Sequence, residues 1–171
     1  MKILLLNPPF SAKSGSAVGG KSGKFSRTSR SPAITKSWTL YYPFWLAYAT
    51  GVLEKEQFKV KLVDGPAQGI NENDILNIAK GFKPDLVVID TSTPSIYSDV
   101  KIAASIREVV QDSFVVLVGT HPSALPEETL RLSDSVDAVA RGEYDYTIRD
   151  LARTLNSDRN LKSVLGLTFK D

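Results

Sequence analysis

Cysteine is absent from this chain of 171 residues, and the absence removes several kinds of site at once. Without thiols the chain has no disulfide, no zinc–thiolate site and no cysteine-ligated iron–sulfur cluster of its own. The absence is typical of proteins from a reducing compartment, so we expect a cytoplasmic location.

The chain also has a small net charge, no long apolar run and a single histidine. A formal net charge of +2 gives no reason to predict a nucleic-acid partner. No apolar run approaches the ~20 residues of a membrane span, and the N-terminal run is shorter than the ~7–15-residue core of a signal peptide. His121 is the only histidine. Because most catalytic metal sites use several protein ligands, we predict no metal ligand.

Five runs of residues are typical of strands, and the middle ones are apolar without alternation, as in strands covered on both faces. The five predicted strands are Lys2–Asn7, Lys59–Asp64, Leu86–Thr91, Phe114–Gly119 and 138–141. The segments between them have helical periodicity, and strands that alternate with helices indicate a parallel sheet. We therefore predict an α/β fold, a flavodoxin-like or Rossmann-like three-layer sandwich whose five-stranded parallel sheet has the order 2-1-3-4-5.

The tail of the chain predicts a domain boundary. Residues 164–169 alternate between apolar and polar, but a lone strand without a hairpin partner is only marginally stable. We expect residues 1–160 to form one domain. Residues 161–171 would then begin a linker or strand that leads to a further C-terminal domain.

Residues 11–36 interrupt the regular pattern with Gly, Ser, Lys and Arg and without any acid. Such a long loop is either a solvated insert or a cationic flap over an anionic ligand. Residues 15–22, GSAVGGKS, also fit the phosphate-loop pattern. In that pattern a strand leads directly into the loop and a helix comes after it, and neither condition is met here. A phosphate-loop nucleotide-binding protein remains an alternative, as does a cofactor-free flavodoxin-like regulatory or interaction domain.

The loops after the predicted strands combine hydroxyls, glycine and backbone donors. Because the carboxyl ends of parallel strands meet at one edge of a sheet, these loops would line a single rim where ligands bind. No serine has an obvious base, and no pair of carboxylates is spaced for acid–base chemistry. The sequence therefore predicts a binding rim without catalytic residues.

Six segments together resemble a known family, the N-terminal cobalamin-binding domain of cobalamin-dependent radical S-adenosylmethionine enzymes. They are ILLLNPP at 3–9, PFWLAYATGVLE at 43–54, VKLVD at 60–64, PDLVVI at 84–89, GTHPSALPEE at 119–128 and DAVARGE at 137–143. Relatives of this family include anaerobic magnesium-protoporphyrin IX monomethyl ester cyclases and methyltransferases.

The resemblance implies a corrinoid lying across the carboxyl edge of the sheet. The D-x-H-x-x-G motif that supplies a cobalt-ligating histidine in other cobalamin domains is absent, and Asn7-Pro8-Pro9 stands there instead. The resemblance therefore implies that cobalamin is bound without a protein histidine on cobalt. The cofactor-binding residues that we predict are Asn7, Pro8, Pro9, Thr91, Ser92, Thr93, Ser95, Gly119, Thr120, His121, Pro122, Gly142 and Glu143.

The resemblance also implies that different domains of a larger enzyme hold different cofactors. The 4Fe-4S cluster and S-adenosylmethionine would belong to a C-terminal radical S-adenosylmethionine domain, which would be the partner of this chain. The lack of cysteine in this chain agrees with a cluster held by another domain, because such a cluster needs thiolate ligands. We expect this chain alone to be non-catalytic.

Overall fold

The computed structural model describes residues 1–9, 42–157 and 159–170. Its centre is a six-stranded sheet with the order β2-β1-β3-β4-β5-β6. The strands are β1 (Lys2–Asn7), β2 (Lys59–Asp64), β3 (Leu86–Thr91), β4 (Phe114–Gly119), β5 (Ala138–Ala140) and β6 (Leu167–Phe169). The first five are parallel and have the predicted order 2-1-3-4-5, whereas β6 runs antiparallel to β5.

Seven α-helices connect and cover the strands in the described part of the chain. They are α1 (Phe44–Lys55), α2 (Gly65–Gln68), α3 (Glu72–Phe82), α4 (Ile96–Val109), α5 (Thr120–Ala124), α6 (Pro126–Arg131) and α7 (Asp145–Leu155). A short 3₁₀ helix, Leu161–Ser163, precedes β6. Helix α3 begins where it does because Asn71 and Asp74 form a capping box, in which each side chain accepts a hydrogen bond from the backbone N–H of the other residue.

Alternate residues of the central strands face two separate apolar layers. Leu5 and Val88 pack with α1 and α7 on one face of the sheet. Leu4 and Val87 pack with α3 and α4 on the other face. Both faces of β1 and β3 are therefore buried, which explains why their sequences are apolar without alternation. The predicted three-layer sandwich is confirmed.

The prediction of five strands is wrong by one, because the tail joins the sheet. Val139 of β5 pairs with Thr168 of β6, and the backbone N–H of Arg141 donates to the carbonyl of Gly166. The chain reverses at Gly166, whose φ of 79° favours glycine. β6 has no hairpin partner next to it in the sequence, and the edge of β5 is the strand with which it pairs. A linker over 161–171 to a further domain stays a prediction.

Two sequence predictions fall on residues that the structure does not describe. The basic segment 11–36 and the phosphate-loop-like stretch 15–22 within it lie outside the described residues. Among the helices of the described ranges, none has the length and apolar character that crossing a membrane requires.

Candidate functional site

The parallel register brings the ends of β1 to β5 to one edge of the sheet, here called the carboxyl rim. Asn7 at the end of β1 pairs with Asp64 of β2, and Thr91 at the end of β3 pairs with Gly119 of β4. The loops and short helices after these strands form the rim. Each predicted site residue lies on this rim or just beneath it.

Asn7 joins the first two strands and leaves one polar atom without a partner. Its side-chain Nδ2 donates to Oδ1 of Asp64 across 2.8 Å. Asn7 is only 1% exposed, and its Oδ1 is buried without a hydrogen-bond partner. A buried carbonyl oxygen of this kind is satisfied when a ligand or water brings an N–H or O–H donor.

Pro8 and Pro9 continue β1 into tight contact with the turn after β2. A Cβ on Gly65 would lie 2.7 Å from Cδ of Pro9 and 3.0 Å from the carbonyl oxygen of Asn7. Only glycine permits this close approach. Pro8 is buried and Pro9 is half-buried, so these prolines shape the rim from below.

The environment of Asp64 disfavours its ionised form. Burial raises the pKa of the Asp64 carboxyl above its ordinary value, while hydrogen bonds from Asn7 Nδ2 and the Ala67 backbone N–H act in the opposite direction. Desolvation is the larger effect. Asp64 therefore acts as a structural acceptor at the end of β2, as its position at the end of a predicted strand indicates.

The ends of β3 and β4 touch at Gly119. Its φ is 110°, and a Cβ built on it would lie 2.2 Å from the carbonyl oxygen of Thr91 and 2.8 Å from Oδ1 of Asp90. No other residue fits at this contact without a shift of the backbone. Gly119 thus sets the width of the rim between its two central strands.

A buried carboxylate organises the loop after β3. Oδ2 of Asp99, on the first turn of α4, accepts hydrogen bonds from Thr91 Oγ1 at 2.6 Å and from Ser95 Oγ at 2.7 Å. Asp99 has no exposed surface. It is not among the residues predicted from the sequence, although an acid on the face that carries Ile96 and Val100 breaks the apolar pattern of that face and could have indicated it.

The loops after β4 and β5 are joined by Ser123, which lies in the predicted rim loop after β4 but is not among the predicted cofactor-binding residues. Its Oγ donates to the carbonyl of Gly119 at 2.6 Å and accepts from the backbone N–H of Gly142 at 2.9 Å. The predicted loop after β4 is in fact the short helix α5, which contains Thr120, His121 and buried Pro122.

His121 connects the loops after β3 and β4. Its ring Nδ1 lies 3.2 Å from Oγ1 of Thr93, within hydrogen-bond distance. Thr93, Thr120, Gly142 and Glu143 are exposed on the rim, and His121 and Ser92 are half-buried. The structure thus brings together residues from the three loops after β3, β4 and β5 along a broad, mostly neutral edge.

Tyr144 lies beneath this edge at the start of α7. It is 3% exposed, and its hydroxyl is buried without a hydrogen-bond partner. Burial raises the pKa of Tyr144 strongly, and the negative charges of Asp90 and Asp145 raise it further. Tyr144 is therefore a neutral hydroxyl on the α1 side of the rim, and no local pattern in the sequence indicates that this hydroxyl is buried and unsatisfied.

The described residues contain no group of three or more His, Cys, Asp or Glu side chains placed to hold a metal ion. The rim presents hydroxyls, amides and backbone groups, and groups of this kind can hydrogen-bond to the polar edge of a large ligand.

Comparison with known proteins identifies the family. The sequence model of the B12 binding domain matches residues 30–152. The chain belongs to this family. The matched stretch includes β2 to β5 and every loop of the rim after them, so the resemblance inferred from the sequence is confirmed. The two alternatives, a phosphate-loop protein and a cofactor-free flavodoxin-like domain, gain no support from these comparisons.

Similar curated proteins are much longer than this chain. An uncharacterized methyltransferase of Pyrococcus horikoshii is 33% identical over 171 residues, which are 100% of this chain and 33% of that protein. The anaerobic magnesium-protoporphyrin IX monomethyl ester cyclase of Cereibacter sphaeroides is 27% identical over 142 residues, 81% of this chain and 23% of the enzyme. The chain thus spans a third or less of these relatives.

Structural comparison supports the same fold. The cobalamin-dependent S-adenosylmethionine radical enzyme OxsB, solved with aqua-cobalamin and S-adenosylmethionine bound, matches with a TM-score of 0.74. The match covers 99% of this chain and 21% of that chain, at 19% sequence identity. At this identity the likeness establishes the fold.

Proposed function

We propose that this B12 binding domain holds cobalamin across its carboxyl rim, with no histidine of this chain on cobalt, as one module of a larger radical S-adenosylmethionine enzyme. The observation that carries the proposal is the family match over 30–152, which includes the rim loops after β2 to β5. Residues 1–160 would form the module, and residues 161–171 would begin the connection to the next domain.

The polar groups of the rim fit the chemistry of a corrinoid. A corrin has apolar faces and carries carboxamides around its edge, so it suits a broad shelf with many separate hydrogen-bond partners. Asn7 Oδ1 is a buried acceptor without a donor, which an amide N–H satisfies. Gly142 leaves open space, since a Cβ there would meet nothing within 4 Å.

The residues at the end of β1 support cobalamin binding without a histidine of this chain on cobalt. Asn7-Pro8-Pro9 stands where other cobalamin domains have their histidine motif, and Pro8 is buried beneath the rim. The only histidine of the sequence, His121, comes after β4 instead and lies against Thr93. In this proposal His121 contacts the bound ligand and does not ligate cobalt.

When bound, the corrinoid supplies the reactive metal chemistry, and the protein supplies its position and surroundings. The rim residues of this chain orient the ring and exclude water from beneath it. The 4Fe-4S cluster and S-adenosylmethionine would be held by the additional radical S-adenosylmethionine domain, because this chain has no cysteine.

Exposed aromatic side chains support contact with that additional domain. Tyr42, Phe44, Trp45 and Tyr48 are each more than half exposed at the start of α1. An exposed aromatic patch of this kind marks an interaction surface. In the longer polypeptide we expect Trp45→Glu to increase limited proteolysis between the domains, whereas Lys101→Glu on α4, on the opposite side of the sheet, should not. Equal proteolysis of the two variants would contradict this contact.

Reconstitution tests the proposed function directly. The purified chain mixed with hydroxocobalamin should become pink-red, keep the colour through gel filtration and gain thermal stability. Thr93→Trp places a bulky exposed side chain on the rim and should weaken binding at least about tenfold. Gln111→Trp is a matched control at the opposite edge and should bind like the unmodified chain. A colourless chain with no thermal shift would refute the function. Equal binding by both variants would refute the location.

A further inference from the structure

The rim loop after β5, residues 141–143, is held by backbone hydrogen bonds to two different elements. The backbone N–H of Arg141 donates to the carbonyl of Gly166 at 2.9 Å, and the next N–H, that of Gly142, donates to Oγ of Ser123 at 2.9 Å. The three residues of the loop are exposed, and a Cβ on Gly142 would meet nothing within 4 Å. Because packing contributes little here, these two hydrogen bonds set the path of the loop.

The carbonyl that holds Arg141 belongs to the turn 164–166, which precedes β6. Val164 and Leu167, at the two ends of this turn, are buried in the apolar layer that contains α1 and α7. Leu165 is 86% exposed, so its side chain does not anchor the turn. Its carbonyl instead accepts a hydrogen bond from Oγ1 of Thr147, on the first turn of α7, at 3.1 Å. The direction of this bond is fixed, because a carbonyl oxygen only accepts.

Gly166 also lies directly against Thr147. A Cβ on Gly166 would be 2.9 Å from Thr147 Oγ1, and the φ of Gly166 is 79°, so glycine permits both the reversal of the chain and its close approach to α7. The hydroxyl of Thr147 therefore contacts two successive residues of the turn. Through the Gly166 carbonyl, the position of the turn decides where the Arg141 N–H is held.

We propose that Thr147, acting through the turn 164–166, positions the backbone of residues 141–143 for corrinoid binding. This inference rests on the proposed function and adds that the segment after α7 completes the rim, although the family match ends at residue 152. Thr147 is a positioning residue, because it acts on the ligand only through Gly166 and Arg141. A loop that is already held in its bound conformation loses less conformational freedom when the ligand binds, and this raises the affinity.

Two substitutions at Thr147 separate the hydroxyl from the rest of the side chain. Thr147→Val removes the hydrogen bond to the Leu165 carbonyl and keeps the shape, whereas Thr147→Ser keeps a hydroxyl. We expect Thr147→Val to weaken hydroxocobalamin binding about fivefold, the effect of one hydrogen bond, and Thr147→Ser to bind within about twofold of the unmodified chain. A hydroxyl that only stabilised the fold would leave the affinity of the folded Thr147→Val chain unchanged, and this result would overturn the inference.

Thr50→Val is the matched control. Oγ1 of Thr50 donates to the Leu46 carbonyl at 2.7 Å, so the same chemical change is made within α1 and not at the turn 164–166. Thr50→Val should bind hydroxocobalamin like the unmodified chain. If it weakened binding as much as Thr147→Val, general destabilisation would explain both effects and the inference would be overturned.

Gly166→Ala tests the same contact from the side of the turn. The added Cβ must move away from Thr147 Oγ1, and this strains the residue whose carbonyl accepts from Arg141. We expect hydroxocobalamin binding to weaken at least about fivefold, as in Thr147→Val. Affinity equal to that of the unmodified chain would contradict the positioning of the loop by the turn.

Hydrogen exchange measures the same link without a ligand. In ligand-free Thr147→Val the backbone amides of Arg141 and Gly142 should exchange at least about threefold faster than in the unmodified chain, because their loop opens more often. In Thr50→Val the exchange of these two amides should be unchanged. Equal exchange in Thr147→Val and the unmodified chain would overturn the inference, whatever the affinities.

Failure of the inference and failure of the proposed function give different results. If the unmodified chain does not bind hydroxocobalamin, the proposed function is refuted. If it binds and Thr147→Val binds equally well, only the positioning by Thr147 is refuted.

Discussion

Replacing Gly119 with alanine tests whether the contact between β3 and β4 fixes the rim. The Cβ would lie 2.2 Å from the Thr91 carbonyl oxygen, whereas real Cβ contacts are essentially never shorter than 3.0 Å. The obstacle is backbone, which cannot rotate away as a flexible side chain can. The ends of β3 and β4 must therefore separate.

The magnitude has two parts. A non-glycine residue at φ 110° and ψ −166° is strained by about 1–3 kcal/mol. Forcing extra volume into a packed contact adds about 1–3 kcal/mol. We expect Gly119→Ala to lower the free energy of unfolding by about 4 kcal/mol, and the melting temperature by about 10 °C for a chain of this size.

Two other glycines provide matched controls in urea unfolding. Gly142 has a φ of 67° but nothing within 4 Å of a Cβ, so Gly142→Ala should lower the free energy of unfolding by only about 1 kcal/mol. Gly51 lies inside α1 with open space around it, and Gly51→Ala should raise that free energy by up to about 1 kcal/mol. If Gly119→Ala were no more destabilising than Gly142→Ala, the reasoning about the strand contact would be wrong.

Three further substitutions address polar groups near the rim. Tyr144→Phe removes a buried hydroxyl without a partner and should stabilise the ligand-free chain by about 1 kcal/mol in urea unfolding; destabilisation would mean that the hydroxyl is satisfied. Asp64→Asn tests the raised pKa of that carboxyl: because folding favours its protonated form, its contribution to stability is complete below the ordinary pKa of 3.8 and is lost as pH rises through the raised value. The unfolding free energy of the original chain, minus that of Asp64→Asn, should fall over that interval and stay flat above it; a rise would contradict the desolvation argument. Ser123→Ala removes the hydroxyl that bridges the loops after β4 and β5 and should lower the unfolding free energy by about 1–2 kcal/mol, which an unchanged urea midpoint would disprove.

The order of the parallel strands could be predicted from the sequence because each strand is a local apolar run with an amphipathic helix after it. The bounds of β1 to β4 agree with the prediction residue by residue, and β5 ends one residue earlier. Once five such units succeed each other, right-handed crossovers and burial on both faces leave few topologies. β6 could not be predicted in this way, because its partner is the distant edge of β5.

Part of the candidate site could likewise be predicted from the sequence, and part could not. The loops that carry Asn7, Thr91, Gly119 and Gly142 lie at predicted strand ends, so their common edge could be predicted from the pattern. The side chains that hydrogen-bond to these loops could not be predicted in this way. Asp99 breaks the apolar face of α4 and could have been noticed for that reason, but its hydrogen bonds from Thr91 and Ser95 are seen only in the structure.

The amino-acid sequence by itself determined the layered α/β fold and the edge at which the rim loops meet, because both result from the alternation of strands and helices along the chain. Only the tertiary structure decided the sixth strand, the contact of Gly119 with the Thr91 carbonyl, and the hydrogen bonds that Thr91 and Ser95 donate to buried Asp99. The physical reason is that these features depend on distances between atoms of different elements. Such distances are set by packing, and a one-dimensional pattern does not contain them.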